Sequence, residues 1–511
     1  MREAPLTRAG RREWAGLAVL ALPTMLIGLD MTVLHLAAPA LAESLRPGSS
    51  ELLWIVDSYG FLVAGFLITM GTVGDRIGAR KLLLIGAAAF GLASLLAAYA
   101  PSTALLIAAR ALLGVAGATL MPSTLALIRN MFHDRDQRRF AIAVWMTNFL
   151  VGGAIGPLVG GVLLEHFWWG SVFLVGVPLP LVLLIAGPLL LPEHRSSAPG
   201  RVAPAGVLLS TSAIILIVYG LKEFARDGLG LAPVATVVLG VVLGTVFARS
   251  QLRSPAPLLD LALFRRPAFG VALSGQTLGL YVQTGIQFLV LQYAQLVLGM
   301  SPLQAGVAVL PAMVAGVVGT LLAPAAVRWT HPVWVMTGGF GLAAVGSVVI
   351  ALAGAGSPMA FAGTGFALVS FGVSAALALT NDFIIGSASR ERAGSAASIG
   401  ETGAELGNAL GVAMAGTITT AVYRAQVTPE TLPAGLPPDA VRAARDTLGG
   451  AASVAGDQPG SVGAELMDVA RAAFTHGMWV ASWANVAVLI VLCIATAALL
   501  RSVQVPVDVD D

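Results

Sequence analysis

The sequence predicts an all-α polytopic membrane protein, and three observations carry that prediction. Of its 511 residues, 57% are hydrophobic and only 11% charged, whereas a soluble domain is about 45–50% apolar and about 25% charged. So little charge cannot cover a water-facing surface. The apolar residues also come in repeated stretches of about 20 or more, the length a helix needs to cross about 30 Å of hydrocarbon. Finally, Trp14, Trp54, Trp168, Trp169, Trp329, Trp334, Trp479 and Trp483 fall near the ends of these stretches, where an amphipathic ring prefers the headgroup layer.

Read window by window, helices are expected near 14–39, 52–73, 82–99, 103–128, 139–163, 169–190, 204–221 and 231–248. A second group follows near 268–297, 303–326, 333–353, 359–385, 395–423 and 477–500, fourteen spans in all. The basic, polar N-terminus leads into an apolar stretch that runs to about Pro39 without a small-residue cleavage pattern, so it reads as a retained first span. With that terminus in the cytoplasm, Arg46, Lys222, Arg226, Arg424, Arg442, Arg445 and Arg471 fall outside. Every other Lys and Arg except Arg110 falls inside, and the positive-inside rule then places both termini in the cytoplasm. One long external segment, about 424–476, opens with PETLPAGLPPD and continues with two helically patterned runs. It can form a short hairpin over the outer mouth and is read here as a solvated tether in preference to a gate.

Several chemistries are excluded. The net charge of +2 and the scattered basic clusters give nucleic acid binding no support. Cys493 is the only cysteine, so neither a disulfide framework nor a thiolate metal site can form within one chain. There is no GxxxxGK[ST] loop to hold ATP, and no HExxH, GxSxG or Cys/His ligand set. Neither enzymatic chemistry nor a metal or cofactor is expected.

The informative residues are ionisable groups inside the spans: Asp30, Asp57, Arg110, Asp382, Glu401 and Glu405. Each costs roughly 2.5–3.5 kcal/mol at a helix centre on insertion scales, so it should line a cavity and act there. From helix rise, Asp30, Asp57 and Arg110 share a layer roughly 9–14 Å from the outer boundary and can meet as one cluster. A carboxylate balanced between a guanidinium, which favours its charged form, and burial, which disfavours it, can load and release a proton. Glu401 and Glu405 are one helical turn apart on one face, with Asn408 beyond. The excess of acids over bases should attract cations or protons. Asp382, near the cytoplasmic rim, can equally meet Arg390 or Arg392. Gln276, Gln283 and Gln287 keep to one face of the ninth span, with Tyr281 nearby, and suit either a cavity wall or interhelical hydrogen bonding.

Three segments at particular positions then resemble the major facilitator superfamily, specifically its fourteen-span drug:proton antiporters. GTVGDRIGARK after the second span resembles the most general signature, with Gly71, Asp75, Arg76, Gly78, Arg80 and Lys81 in place. RALLGVAGA resembles the second signature, whose arginine is Arg110, and GGAIGPLVGG, with Gly152, Gly156, Pro157, Gly160 and Gly161, the antiporter signature. LDMTVLHLAAPAL, LWIVDSYGFLVAG and ETGAELGNALG are similar to segments of the Qac-type and mycobacterial fluoroquinolone and dye pumps. His35 departs from the usual asparagine, and the tenth span lacks an acid that some relatives carry.

The resemblance implies a six-helix bundle over 1–190, an inserted helix pair with linkers over 191–265, and a second six-helix bundle over 266–511. It implies a bacterial inner-membrane, proton-driven exporter of lipophilic, often cationic compounds that works as a monomer by alternating access. Asp30, Asp57, Arg110, Glu401, Glu405 and Asp382 would serve proton coupling and substrate. Asp75, Arg76 and Arg80 would form a cytoplasmic charge relay. A dedicated exporter of one endogenous compound is the alternative; an inward nutrient symporter and a non-transporting scaffold fit the signatures and embedded acids less well.

Overall fold

The apolar stretches fold as helices because hydrocarbon leaves a peptide group no other way to pair. The computed structural model describes residues 9–193, 204–227, 230–253, 261–386 and 393–501 and is helical throughout, with no strand among them. The first part of the chain forms α1 (Arg11–Leu45), α2 (Ser49–Ile77), α3 (Ala79–Ala98), α4 (Thr103–Met131), α5 (Arg135–His166), α6 (Ser171–Leu174) and α7 (Pro178–Leu190). Then come α8 (Pro204–Asp227), α9 (Leu231–Arg253), α10 (Pro267–Gln292), α11 (Pro302–Ala326), α12 (Pro332–Ala351), α13 (Met359–Gly386) and α14 (Ala393–Gln426). The last are α15 (Pro438–Asp446), α16 (Leu448–Gly456) and α17 (Gly460–Leu499).

Every expected span lies on helix, with local departures that have physical causes. The sixth is broken into α6 and α7 where Gly176 packs against Ser94 and Pro178, which lacks an N–H, starts a new helix. The ninth ends in a π-helical turn, Tyr293–Val297, whose Tyr293 hydroxyl reaches the Gly354 and Ser357 carbonyls. Among the described residues, ten helices are long and apolar enough to cross a membrane by themselves. The protein is therefore a multi-pass membrane protein. Neither α10 nor α14 is among the ten, because they carry the glutamines and glutamates that face protein instead of lipid. Elsewhere the outer faces are apolar, as at Ile185, Leu231 and Leu321.

Packing repeats within the chain. In the first half α1 lies along α5, α2 along α4, and α3 against α4 and α7; in the second, α10 lies along α14, α11 along α13, and α12 against α13 and α17. The halves meet along two seams, α2 with α14 and α5 with α11. The pair α8–α9 covers the first seam, with α8 against both α2 and α14. Glycines set how closely the paired helices approach. A Cβ on Gly152 would come 2.1 Å from the Met25 carbonyl, and one on Gly156 would come 2.0 Å from Thr32 Oγ1. The second half repeats this, with Gly407 against the Thr277 carbonyl and Gly411 against that of Tyr281.

The segment expected as a solvated tether is packed instead. Its first patterned run becomes α15 and α16, and its second becomes the first turns of α17, so the stretch between α14 and α17 is 427–459. Ala444, Leu448, Ala451 and Val454 are buried. Tyr423 Oη donates to the Ala444 carbonyl at 2.7 Å, Arg445 Nε to that of Val427 at 3.0 Å, and Arg424 pairs with Asp446. Apolar residues on one face of each short helix make the contact more favourable than solvation. The segment caps the ends of α1, α14 and α17, and is called the cap below; the opposite end, which holds the start of α1 and the end of α17, is called the terminal end.

Replacing Gly152 by Val should force α1 from α5 and cost about 2 kcal/mol. A thermal shift followed by size exclusion should show a lowered melting temperature, whereas Gly270→Ala, where a Cβ meets nothing within 4 Å, should leave it in place.

Candidate functional site

The embedded charges converge near the α2–α14 seam. Asp30 on α1 and Arg110 on α4 form an ion pair, Arg110 Nη1 to Asp30 Oδ2 at 2.8 Å, with side chains 9% and 2% exposed. The other two nitrogens also donate: Nε to the Ile55 carbonyl at 3.1 Å and Nη2 to that of Val56 at 3.4 Å. The guanidinium carbon stands 4.7 Å from the centre of the Tyr59 ring and 6.0 Å from that of Phe173. One side chain thus ties α1, α2 and α4 together. A buried charge persists only when it is paired and hydrogen-bonded in this way.

Across the seam, Glu405 on α14 is 2% exposed, and its Oε2 has no hydrogen-bond partner. Glu401 is half-buried one turn away, and Asn408 Oδ1 accepts from Thr284 Oγ1 at 3.1 Å. Tyr59 lies within electrostatic reach of Asp30, Arg110 and Glu405. Gln276 and Gln287 of α10 are buried and Gln283 partly so; Gln276 Oε1 faces Gly400 of α14 and, like Gln283 Oε1 and Gln287 Nε2, is unpartnered. Tyr281 turns its carbonyl to Gly411. The structure therefore pairs Asp30 with Arg110 and sets Glu405 and Glu401 on α14 across the seam, with the three glutamines on α10, which packs along α14. The side chains of Asp57, Asp75, Asp382 and His35 lie outside the described residues.

The signature segments take distinct places. Gly78, at φ +105°, turns the chain sharply between α2 and α3, where a side chain would also meet Glu193. Arg80 holds the end of α7 through the Leu191 carbonyl at 3.0 Å and Glu193 Oε2 at 3.5 Å. Arg76 is exposed, and Gly71 faces Pro122 at ordinary contact. On α5, Gly160 packs on Val33 of α1, while Gly161 and Pro157 face α11 at Leu303 and Gly306. One antiporter-like segment therefore serves both the α1 contact and the α5–α11 seam.

Sequence reading missed Tyr59, Glu193 and the repeat of glycines on α14. A tyrosine two residues after an embedded aspartate was the available signal for the first, since a buried hydroxyl needs a partner. Glu193 had none, because nothing in its local pattern points at Arg80. Trp145, left out of the interfacial set, is buried and donates to Thr124 Oγ1 at 3.0 Å.

The Major Facilitator Superfamily model matches residues 20–412. The chain belongs to this superfamily. Among similar superfamily proteins is the multidrug efflux pump LfrA of Mycolicibacterium smegmatis, 45% identical over 489 residues and covering 96% of each chain. The methyl viologen resistance protein SmvA of Salmonella typhimurium is 36% identical over 474 residues, covering 91% of this chain and 93% of its own. A bacterial homologue of the human lysosomal transporter Spinster, solved in an inward-facing, unoccupied conformation, superposes with a TM-score of 0.68 at 16% identity. It covers 98% of this chain and 100% of its own, which establishes the shared superfamily fold.

Arg110→Leu should leave Asp30 buried and unpaired, lowering stability by about 3–5 kcal/mol. The double variant Asp30→Leu/Arg110→Leu should recover most of that loss in a thermal melt of the detergent-solubilised protein.

Proposed function

We propose that this protein is a proton-coupled multidrug efflux antiporter that exports lipophilic, often cationic compounds, such as quaternary ammonium ions, dyes and antibiotics. It does so across the bacterial inner membrane by alternating access, with fourteen spans, both termini in the cytoplasm and no cofactor. Two six-helix bundles move about the seams, α8–α9 is an inserted pair, and a monomer suffices. The observation that carries the reading is the Asp30–Arg110 pair, buried beside a seam with an unpartnered carboxylate oxygen of Glu405 on the other side. The names of the relatives, a multidrug efflux pump and a methyl viologen resistance protein, support the substrate class.

A proton reaching Asp30 from outside removes the charge that holds Arg110. The guanidinium then keeps only the Ile55 and Val56 carbonyls and must rearrange, because a buried cation without its counter-ion costs several kcal/mol. Since Arg110 ties α1, α2 and α4 together, proton arrival is converted into helix movement. Glu405, with Glu401, Asp57 and Asp382, supplies negative charge to a cation entering from the cytoplasm or inner leaflet, and Gln276, Gln283, Gln287 and Tyr281 supply adaptable polar wall. Close contacts between the halves, Gly161 with Leu303, Gly306 with the Pro157 carbonyl and Gln295 with the Leu36 carbonyl, lie toward the cap end, while Gly60 meets Ala409 near mid-helix. That placement supports a state open toward the terminal end. The signature glycines of α5 let the bundles move as packed bodies, and Arg80 keeps α7 fixed to α3 during that motion. The membrane potential contributes about 2.3 kcal/mol per charge moved per 100 mV, enough for export against a gradient.

Cells expressing the protein should extrude ethidium, and a protonophore should stop them. Asp30→Asn should abolish this efflux, and full activity in that variant would sink the proposal. No efflux from a well-expressed wild type would instead favour a dedicated exporter of a single endogenous compound.

A further inference from the structure

Two of the unpartnered buried atoms are chemically complementary and come from opposite halves: the Tyr59 hydroxyl on α2, a donor, and Glu405 Oε2 on α14, an acceptor. Packing places them at similar depths. Gly60 abuts Ala409, with a Cβ there 3.0 Å from that of Ala409. Glu405 precedes Ala409 by one turn on the same face, so it lies about 6 Å toward the terminal end. Tyr59 is directed the same way. Its backbone lies against Gly114 of α4, while its hydroxyl lies against Gly117, 3.0 Å from where a Cβ would stand. Three residues along α4 is about 4.5 Å. The ring is braced by Arg110, 4.7 Å from its centre. The charged groups facing this hydroxyl are Asp30 from α1, Arg110 from α4 and Glu405 from α14, with Glu401 acting through Glu405.

We propose that Tyr59 is a positioning residue whose hydroxyl donates a hydrogen bond to the Glu405 carboxylate across the seam in another access state. An ionised Glu405 then draws the halves together at that depth, and a proton or cation on Glu405 releases them. The hydroxyl keeps its proton throughout, and no covalent bond changes. The physical basis is that a hydrogen bond to a charged acceptor is about twice as strong as one to a neutral acceptor. The proposal rests on the antiporter reading and adds to it a link that makes the charge of Glu405 felt by the opposite half.

The test uses full-length protein in liposomes with an imposed pH gradient, measuring ethidium transport and ethidium binding for wild type, Tyr59→Phe, Glu405→Gln and the double variant. Phenylalanine keeps the packing on Gly114 and Gly117 and the ring beside Arg110, and removes only the hydroxyl. Tyr59→Phe should bind ethidium within about twofold of wild type, lower the gradient-driven rate about tenfold and flatten its dependence on pH. In the Glu405→Gln background the same substitution should change the rate by less than about twofold, because the two groups act as one unit. A wild-type rate and pH profile in Tyr59→Phe, or independent effects in the double variant, would overturn the link. Should Tyr59→Phe fail to fold, Glu405→Asp, which keeps the charge but shortens its reach, should show the same flattened profile; an unchanged profile there overturns the proposal. If the wild type moves no ethidium under the gradient, the antiporter reading fails and this proposal with it.

Discussion

A bilayer core supplies neither donors nor acceptors, so each peptide group that enters it must pair within its helix and each charge must be neutralised by protein. The Asp30–Arg110 pair shows how demanding that second requirement is. Arg110 uses Nη1 for the carboxylate, Nε and Nη2 for two carbonyls of α2, and its face for Tyr59. The guanidinium suits this position because its planar fork offers several fixed donors at once, whereas a lysine would bring a single compact charge. The same completeness makes the pair responsive, since removing the charge of Asp30 disturbs three helices together.

Close helix approach is the other requirement, because lipid gives apolar side chains no reason to prefer protein over solvent and packing must hold the helices together. The glycines meet it twice. Gly152 and Gly156 on α5 lie against the carbonyls of Met25 and Leu29, four residues apart on α1, and Gly407 and Gly411 on α14 against those of Thr277 and Tyr281, four residues apart on α10. Gly28 on α1 and Gly285 on α10 answer from the facing helix, against carbonyls of Phe149 and Gly411. The two halves are thus built on one contact repeated. The glutamates of α14 occupy the same helix as its glycine contact, so a closely packed element of the second half also carries its charge.

The repeat is broken in two places, and each break lies at a seam or over its end. Helix α8 covers the α2–α14 seam, where Gly65 packs on Thr211 and Ile214 joins a small apolar cluster with Phe61, Ala409 and Ala413. No such pair covers α5–α11 among the described residues. The cap closes one end of the bundle. A cavity of about 50 Å³ remains beneath it, lined by residues that include Pro39, Leu52, Gln292, Thr420, Tyr423 and Leu448.

Helix positions, membrane character and the charged layer of Asp30 and Arg110 were legible in the sequence, because hydropathy, helix rise and the cost of an embedded charge are local properties. The cap was misread because a proline-rich start looks solvated until Leu448 and Val454 find α1 and α17 to pack against. The signature around Gly78 and Arg80 was visible, but Glu193, the acid that Arg80 holds, was not, since the two are more than a hundred residues apart. By itself the sequence determined that the chain is a bundle of membrane helices with charges placed at set depths, for depth follows from counting residues along a helix. Only the tertiary structure decided which helix faces which, and so placed the Tyr59 hydroxyl near the level of Glu405 across the seam. Rotation and pairing of helices come from contacts between distant segments, and no local pattern encodes them.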